Sequence, residues 1–196
     1  MVRTVGSRGP KTMEAIRTAG LRLIHQHGYE AITLRQLGNE VGIQPGSMYN
    51  YIQSKQELLF ILIRDHMVAL SAEVAAALEG ATDPLDRLKR FMRFHVSYHI
   101  RRTAEVFIGS SELRSLEDGN REVILAMRRD YERLLVTILE DGMTQGTFKR
   151  TDPPVTAYAI LAMLTGVCTW YNPAGRMGEE ELIGLHQDLI LGGVLA

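Results

Sequence analysis

Cys168 is the only thiol in this 196-residue chain. A lone cysteine excludes an intramolecular disulfide and fits a reducing compartment, so the expected location is cytoplasmic. The opening residues, MVRTVGSRGPK, carry no apolar run of the kind a secretory signal needs. No stretch of about 18 residues is apolar enough to span a membrane. Period-two alternation is missing as well, which argues against strands, and no internal repeat is visible. There is no glycine-rich phosphate loop after a strand, no nucleophile elbow and no dense His/Cys/Asp constellation. These absences speak against an enzyme. His95 and His99 lie one helical turn apart, but no Glu follows His95 and the sequence places no third ligand. They read as ordinary histidines, with no metal and no cofactor expected. Cys168 reads as a small buried apolar residue.

What is present is helical. Apolar residues make up 45% of the chain, enough for a real core. Net charge is only −1, which taken alone argues against a nucleic-acid partner. Its distribution reverses that: residues 1–55 hold seven basic side chains against three acidic ones, a net +4, leaving −5 for the rest. A basic head on an acidic body is what a localised phosphate-contacting surface requires.

Residues 1–10 read as a loose arm, with Arg3 and Arg8 able to reach DNA, and a first helix is expected over about 11–27, closed by Gly28. Residues 33–55, TLRQLGNEVGIQPGSMYNYIQSK, form the stretch that the remainder positions. Thr33 and Gln36 have the spacing of a capping box, and Leu34, Leu37 and Val41 share one helical face. Gly42 supplies a break and Ile43 plugs the turn. Gln44 then precedes Pro45 at the first position of a second short helix, expected to run to about Tyr51. Its Gly46, Ser47, Tyr49, Asn50 and Tyr51 are small or hydrogen-bonding, as a rod entering a major groove requires. Ser54 caps a long helix from Lys55 to about Leu78, and Tyr29 and Ile32 read as core of the small head.

Further helices are expected over about 84–102, 103–111, 120–145, 153–170 and 179–191. Asp83 and Asp152 serve as caps, Gly146 as a stop, and Asn172-Pro173-Ala174-Gly175 as a break. The fold class is all-α with about nine helices.

The wording of the head is specific. Thr-Leu-Arg, Val-Gly-Ile, Pro-Gly-Ser-Met-Tyr, Tyr-Ile and Ser-Lys-Gln-Glu-Leu-Leu together resemble the helix-turn-helix signature of TetR-family transcriptional regulators. Gly38 stands where such sequences usually carry Ala, and Ile52 where they usually carry Phe. The resemblance implies an N-terminal three-helix DNA-binding domain over residues 9–69, its motif at 32–51, and a helical effector-binding and dimerisation domain over 70–196. Arg35, Gln44, Ser47 and Tyr49 are the candidates for base edges. Thr33, Gly46, Tyr51 and Lys55 are the candidates for phosphates, and Pro45 and Asn50 belong to the same surface.

The body resembles, more loosely, TetR regulators that sense acyl-CoA thioesters and control fatty-acid, aromatic or steroid breakdown. Arg-Arg-Asp-Tyr-Glu (128–132), Gly-Met-Thr-Gln-Gly-Thr-Phe (142–148) and Trp-Tyr-Asn-Pro-Ala-Gly-Arg-Met (170–177) carry that likeness. It implies a small apolar or acyl-CoA effector lodged among Phe91, Phe94, His95, Tyr98, Phe107, Met127, Tyr131, Met163 and Trp170. Arg101, Arg102 or Arg128 would face the nucleotide. It also implies a homodimer through the last two helices, with Tyr158, Leu161, Ala162, Thr165 and Cys168 as one stripe and Leu182, Leu185 and Leu189 as the other. The expected function is a ligand-responsive repressor on an inverted-repeat operator, with Met67, Leu70 and Val74 sensing the cavity. The alternatives are a small helical enzyme, or a helical scaffold without DNA specificity. A specific footprint on a near-palindromic site separates these from the regulator.

Overall fold

In the computed structural model, which describes residues 9–196, helices start and stop where capping chemistry allows. The described residues form nine α-helices: α1 (Gly9–His27), α2 (Leu34–Glu40), α3 (Pro45–Met48), α4 (Lys55–Leu78), α5 (Pro84–Arg101), α6 (Thr103–Ser111), α7 (Asp118–Thr144), α8 (Pro153–Gly166) and α9 (Glu179–Val194). Short 3₁₀ turns follow at Leu113–Ser115 and Val167–Thr169. The only extended pairing among the described residues is an isolated bridge between Phe148 and Leu195.

The caps are side-chain oxygens that take up otherwise orphaned amides. The Ser54 hydroxyl accepts from Glu57 N at 3.0 Å, Asp83 from Asp86 N at 2.8 Å and Asp152 from Val155 N at 2.9 Å. Gly28 and Gly146 end their helices at φ 80° and 78°, in the left-handed region that favours glycine.

Several element ends depart from expectation, with α7 beginning at Asp118 instead of 120 and α9 running on to Val194 instead of 191. α1 begins at Gly9, because Gly9 and Pro10 sit in its first turn, where a missing N–H costs little. α3 stops at Met48: Asn50 N and Tyr51 N reach back only three residues, to Ser47 O and Met48 O, so Tyr49–Tyr51 tighten into turns. α8 stops at Gly166, where the Thr169 hydroxyl donates to the Gly166 carbonyl and the last turn becomes 3₁₀. The expected arm contacts of Arg3 and Arg8 lie outside the described residues.

Contacts divide the described chain into two units. The first takes the residues up to His66 together with Ala104–Ile124. Ile16, Ala19, Leu37, Met48, Ile52, Leu58 and Ile61 form its core, with Gly20 letting the Leu58 side chain close in. The returning segment is tied on by hydrogen bonds. Tyr29 N donates to Glu112 Oε1 at 3.2 Å, Gln56 Nε2 to the Ser115 carbonyl at 2.6 Å and Glu117 N to Gln56 Oε1 at 3.1 Å. Sequence patterning near residue 69 does not anticipate that return.

The second unit comprises Met67–Thr103 and Leu125–Ala196. α5 is its central rod, packing on both α8 and α9 and burying Leu88, Phe91, Met92, His95, Val96, Tyr98 and His99. The chain terminus is pinned by main-chain bonds, from Lys149 N to Val194 O at 2.8 Å and from Ala196 N to Thr147 O at 3.2 Å. Phe148 beside that bridge is buried against Gly142, where no side chain has room.

Candidate nucleic-acid interface and ligand cavities

α2 is set by a reciprocal box: the Thr33 hydroxyl accepts from Gln36 N at 3.2 Å, and Gln36 Oε1 accepts from Thr33 N at 2.8 Å. Gly42 turns the chain at φ 70°, and Ile43 N donates to Gly38 O at 2.9 Å. A Cβ at position 38 would stand 3.2 Å from the Ile43 carbonyl oxygen. Leu37, Met48 and Ile52 point inward, fully buried. Gln44, Gly46, Ser47, Tyr49 and Asn50 are left exposed on the outer side of α3 and its following turn, with Thr33 and Arg35 exposed on α2 and its cap. Pro45 opens α3, and Tyr51 is half-buried against the core of the head.

Lys55 is engaged within the chain. Its ammonium donates to the Tyr29 carbonyl at 3.1 Å and the Glu30 carbonyl at 3.4 Å, lies 3.5 Å from Glu30 Oε2, and sits 4.2 Å above the Tyr29 ring. The cation holds the α1–α2 connection against α4.

In the second unit His95 lies at the centre of a buried group. Its Nδ1 is 2.9 Å from the Tyr131 hydroxyl and its Nε2 is 2.9 Å from the Thr165 hydroxyl. The His99 ring stacks on it at 3.8 Å, with Phe91 beside both His95 and Tyr131. His99 Nδ1 donates to the His95 carbonyl at 2.7 Å. Burial holds the His95 pKa well below the ordinary histidine value, with the neighbouring His99 adding to the effect. Burial also lowers His99 to about 4 and pushes the Tyr131 phenol upward. Both ring nitrogens of His95 are thus engaged by hydroxyls, and among the described residues no cluster of three or more metal-ligating side chains forms.

Among the described residues this unit holds at least two cavities. One of about 790 Å³ is lined by Ser71, Val74, Ala75, Tyr131 and Leu134, with Arg87 at its wall held by Asp141 at 2.6 Å. Another, about 370 Å³, is lined by Glu73, Phe94, Ser97, Tyr98, Arg101 and Arg102. Arg102 pairs with Glu73 at 2.9 Å and lies 4.2 Å over the Tyr98 ring, while Arg101 pairs with Glu179 at 2.7 Å. Burial lowers the pKa of Arg128. Of the expected ligand residues, Phe91, His95, Tyr98 and Tyr131 come together, with Phe94 and Met127 packed on the same core.

Phe107 does not join them: it packs edge-on to His25 in the first unit. Met163 and Trp170 are exposed instead of lining a cavity. Sequence patterning also missed Ser71 and Ala75, although the run SAEVAAAL signalled them, since small side chains leave space along a helix.

The outer faces of α8 and α9 carry exposed Val155, Tyr158, Leu185 and Leu189, the last 67% exposed, with Ala162 exposed and Leu161 half-buried. Leu182 is fully buried within its own unit, because its side of α9 faces α5, and Thr165 turns its hydroxyl inward to His95. Cys168 is half-buried, its thiol donating to Thr165 O at 3.0 Å. These exposed apolar side chains lie on two helices that both pack on α5.

Residues 81–194 match the family model described as "Tetracyclin repressor-like, C-terminal domain", and residues 16–61 match "Bacterial regulatory proteins, tetR family". The chain belongs to the TetR family. This TetR-family chain is 26% identical to the HTH-type transcriptional repressor KstR2 of Mycolicibacterium smegmatis, covering 85% of this chain and 82% of that one. Its fold superposes on the TetR-family regulator PfmR of Thermus thermophilus with a TM-score of 0.82, at 32% identity over 90% of this chain and 97% of that chain. It superposes equally on AibR, solved in complex with isovaleryl coenzyme A and operator DNA, with a TM-score of 0.84 at 26% identity. That likeness covers 91% of this chain and 97% of AibR. TetR-family proteins are DNA-binding transcriptional regulators, and among the described residues no helix is long and apolar enough to cross a membrane.

Proposed function

We propose that this regulator is a homodimeric repressor that holds an inverted-repeat operator and is released from it by an acyl-CoA thioester. The observation that carries the DNA reading is the outer side of α3: Gln44, Ser47, Tyr49 and Asn50 exposed over a fully buried Met48 and Ile52. Side chains that the core does not need are free to meet base edges. Arg35, Gln44, Ser47 and Tyr49 read bases, while Thr33, Gly46 and Tyr51 approach phosphates. Two copies joined through Tyr158, Ala162, Leu185 and Leu189 present two such helices, and two-fold symmetry then calls for an inverted repeat with half-sites roughly 34 Å apart, one turn of DNA.

The effector reading is supported by the cavities and by AibR. The acyl chain lies along Val74, Ala75 and Leu134, and Arg101 or Arg102 meets the anionic nucleotide part by exchanging Glu179 or Glu73 for phosphate. That exchange costs little, because exposed ion pairs are worth about 1 kcal/mol or less. An effector that prefers one placement of α4, through Val74, shifts the population away from DNA binding by roughly 1–3 kcal/mol, a factor of about 5–150.

Fluorescence anisotropy of labelled operator, titrated with acyl-CoAs of increasing chain length and with free coenzyme A, tests the assignment. Release by a range of acyl-CoAs and not by coenzyme A is expected. An operator complex indifferent to every thioester rules the effector out.

A further inference from the structure

A chain of three polar side chains crosses the middle of the second unit, beside the buried His99: Tyr131 on α7, His95 on α5 and Thr165 on α8, joined by two contacts of 2.9 Å. Burying hydroxyls and an imidazole is costly unless each is satisfied, and a satisfied buried network imposes one arrangement on its members. Here the network admits two. A neutral imidazole carries one N–H, so one ring nitrogen donates and the other accepts. In the first arrangement Tyr131 donates to Nδ1, and Nε2–H donates to Thr165. In the second, Thr165 donates to Nε2 and Nδ1–H donates to the Tyr131 oxygen, which leaves the phenolic proton for something else. His95 stays neutral because it is buried against His99, so no third arrangement competes.

Tyr131 is also a wall of the 790 Å³ cavity, among Val74, Ala75 and Leu134. With the cavity unliganded, the phenol's best acceptor is Nδ1, which favours the first arrangement. A carbonyl oxygen brought beside Tyr131 supplies a better use for that proton and favours the second. We infer that Tyr131 is the specificity-determining residue of this cavity, donating its proton to the thioester carbonyl of the effector. His95 and Thr165 are positioning residues that reverse their hydrogen bonds to release that proton. This rests on the acyl-CoA reading above and adds the atom that is recognised.

The test compares hexanoyl-CoA with S-hexyl-CoA, a thioether of the same chain length without the carbonyl oxygen, by calorimetric titration of the full chain. Wild type is expected to bind the thioester about tenfold more tightly, as one buried hydrogen bond allows. Tyr131→Phe brings the ratio to near one. Thr165→Val shrinks the ratio and Thr165→Ser restores it. In ¹⁵N-histidine-labelled protein, His95 moves from the Nε2–H to the Nδ1–H form with hexanoyl-CoA and does not move with the thioether. That readout keeps the test decisive should Tyr131→Phe fail to fold. Equal wild-type affinity for both compounds overturns this inference and leaves acyl-CoA as effector. Binding of neither overturns both. A preference that survives in Tyr131→Phe, or a His95 tautomer that ignores the thioester, overturns this inference alone.

Discussion

Acid should destabilise this protein through two histidines. His95 and His99 are stacked and almost wholly buried, at 2% and 5% exposure. Burial lowers both, His95 far below the usual histidine value of about 6.5 and His99 to about 4. Both folded values lie below the unfolded one, so the unfolded chain takes up the extra protons. Stability is therefore undiminished above about pH 6.5 and is lost as pH falls below it, the His99 share levelling off near its folded value. At about pH 5 each histidine removes about 2 kcal/mol, so the pair removes about 4 kcal/mol. That is a large fraction of the roughly 10 kcal/mol typical of a folded domain. Urea unfolding followed by circular dichroism at fixed protein concentration, from about pH 7.5 to about pH 5, should show that loss at constant m. His99→Phe, which keeps a flat ring against His95, should lower stability at neutral pH and remove about half of the slope. Stability that is flat across the interval, or a slope unchanged in His99→Phe, would refute the neutral buried pair.

The remaining expectations concern packing, association and base reading. Gly142→Ala puts a Cβ 2.1 Å from the Phe148 Cδ2 and should lower the melting temperature, the overpacking costing about 1–3 kcal/mol; Phe148→Leu should recover part of it. Leu189→Glu, on the exposed face of α9, should convert the dimer to monomer in sedimentation at micromolar concentration without changing helical content. A dimer that survives would assign Leu189 to solvent. Gln44→Ala should change which bases a selected site prefers while leaving the salt dependence of binding alone; a uniform loss across sequences would make Gln44 a backbone contact instead.

Local chemistry was readable and helix facing was not. Thr33 with Gln36, Asp83 and Asp152 could be assigned as caps from spacing alone, because a cap is settled within four residues. The helix-turn-helix was legible for the same reason, down to Ile43 closing the turn on the Gly38 carbonyl. Which side of α8 and α9 meets α5 depends on neighbours distant in sequence. Leu182 and Leu185 thus carry the same apolar signal, yet one is buried and the other exposed. Thr165 looked like a small interface residue, and only the fold brings His95, 70 positions earlier, to its hydroxyl. Lys55 shows the converse. A cation at a helix start suits a phosphate, but the Tyr29 carbonyl and ring reach it within the chain.

The proposed entry of α3 into the major groove, as one of a two-fold pair, is read by hydroxyl-radical footprinting on DNA selected from a random pool by the full chain. The protected site should be an inverted repeat whose backbone falls into two patches related by a dyad, about one helical turn apart, with Ser47→Trp abolishing both together. A single unrepeated site protected by one chain, or protection that ignores Ser47→Trp, would contradict it.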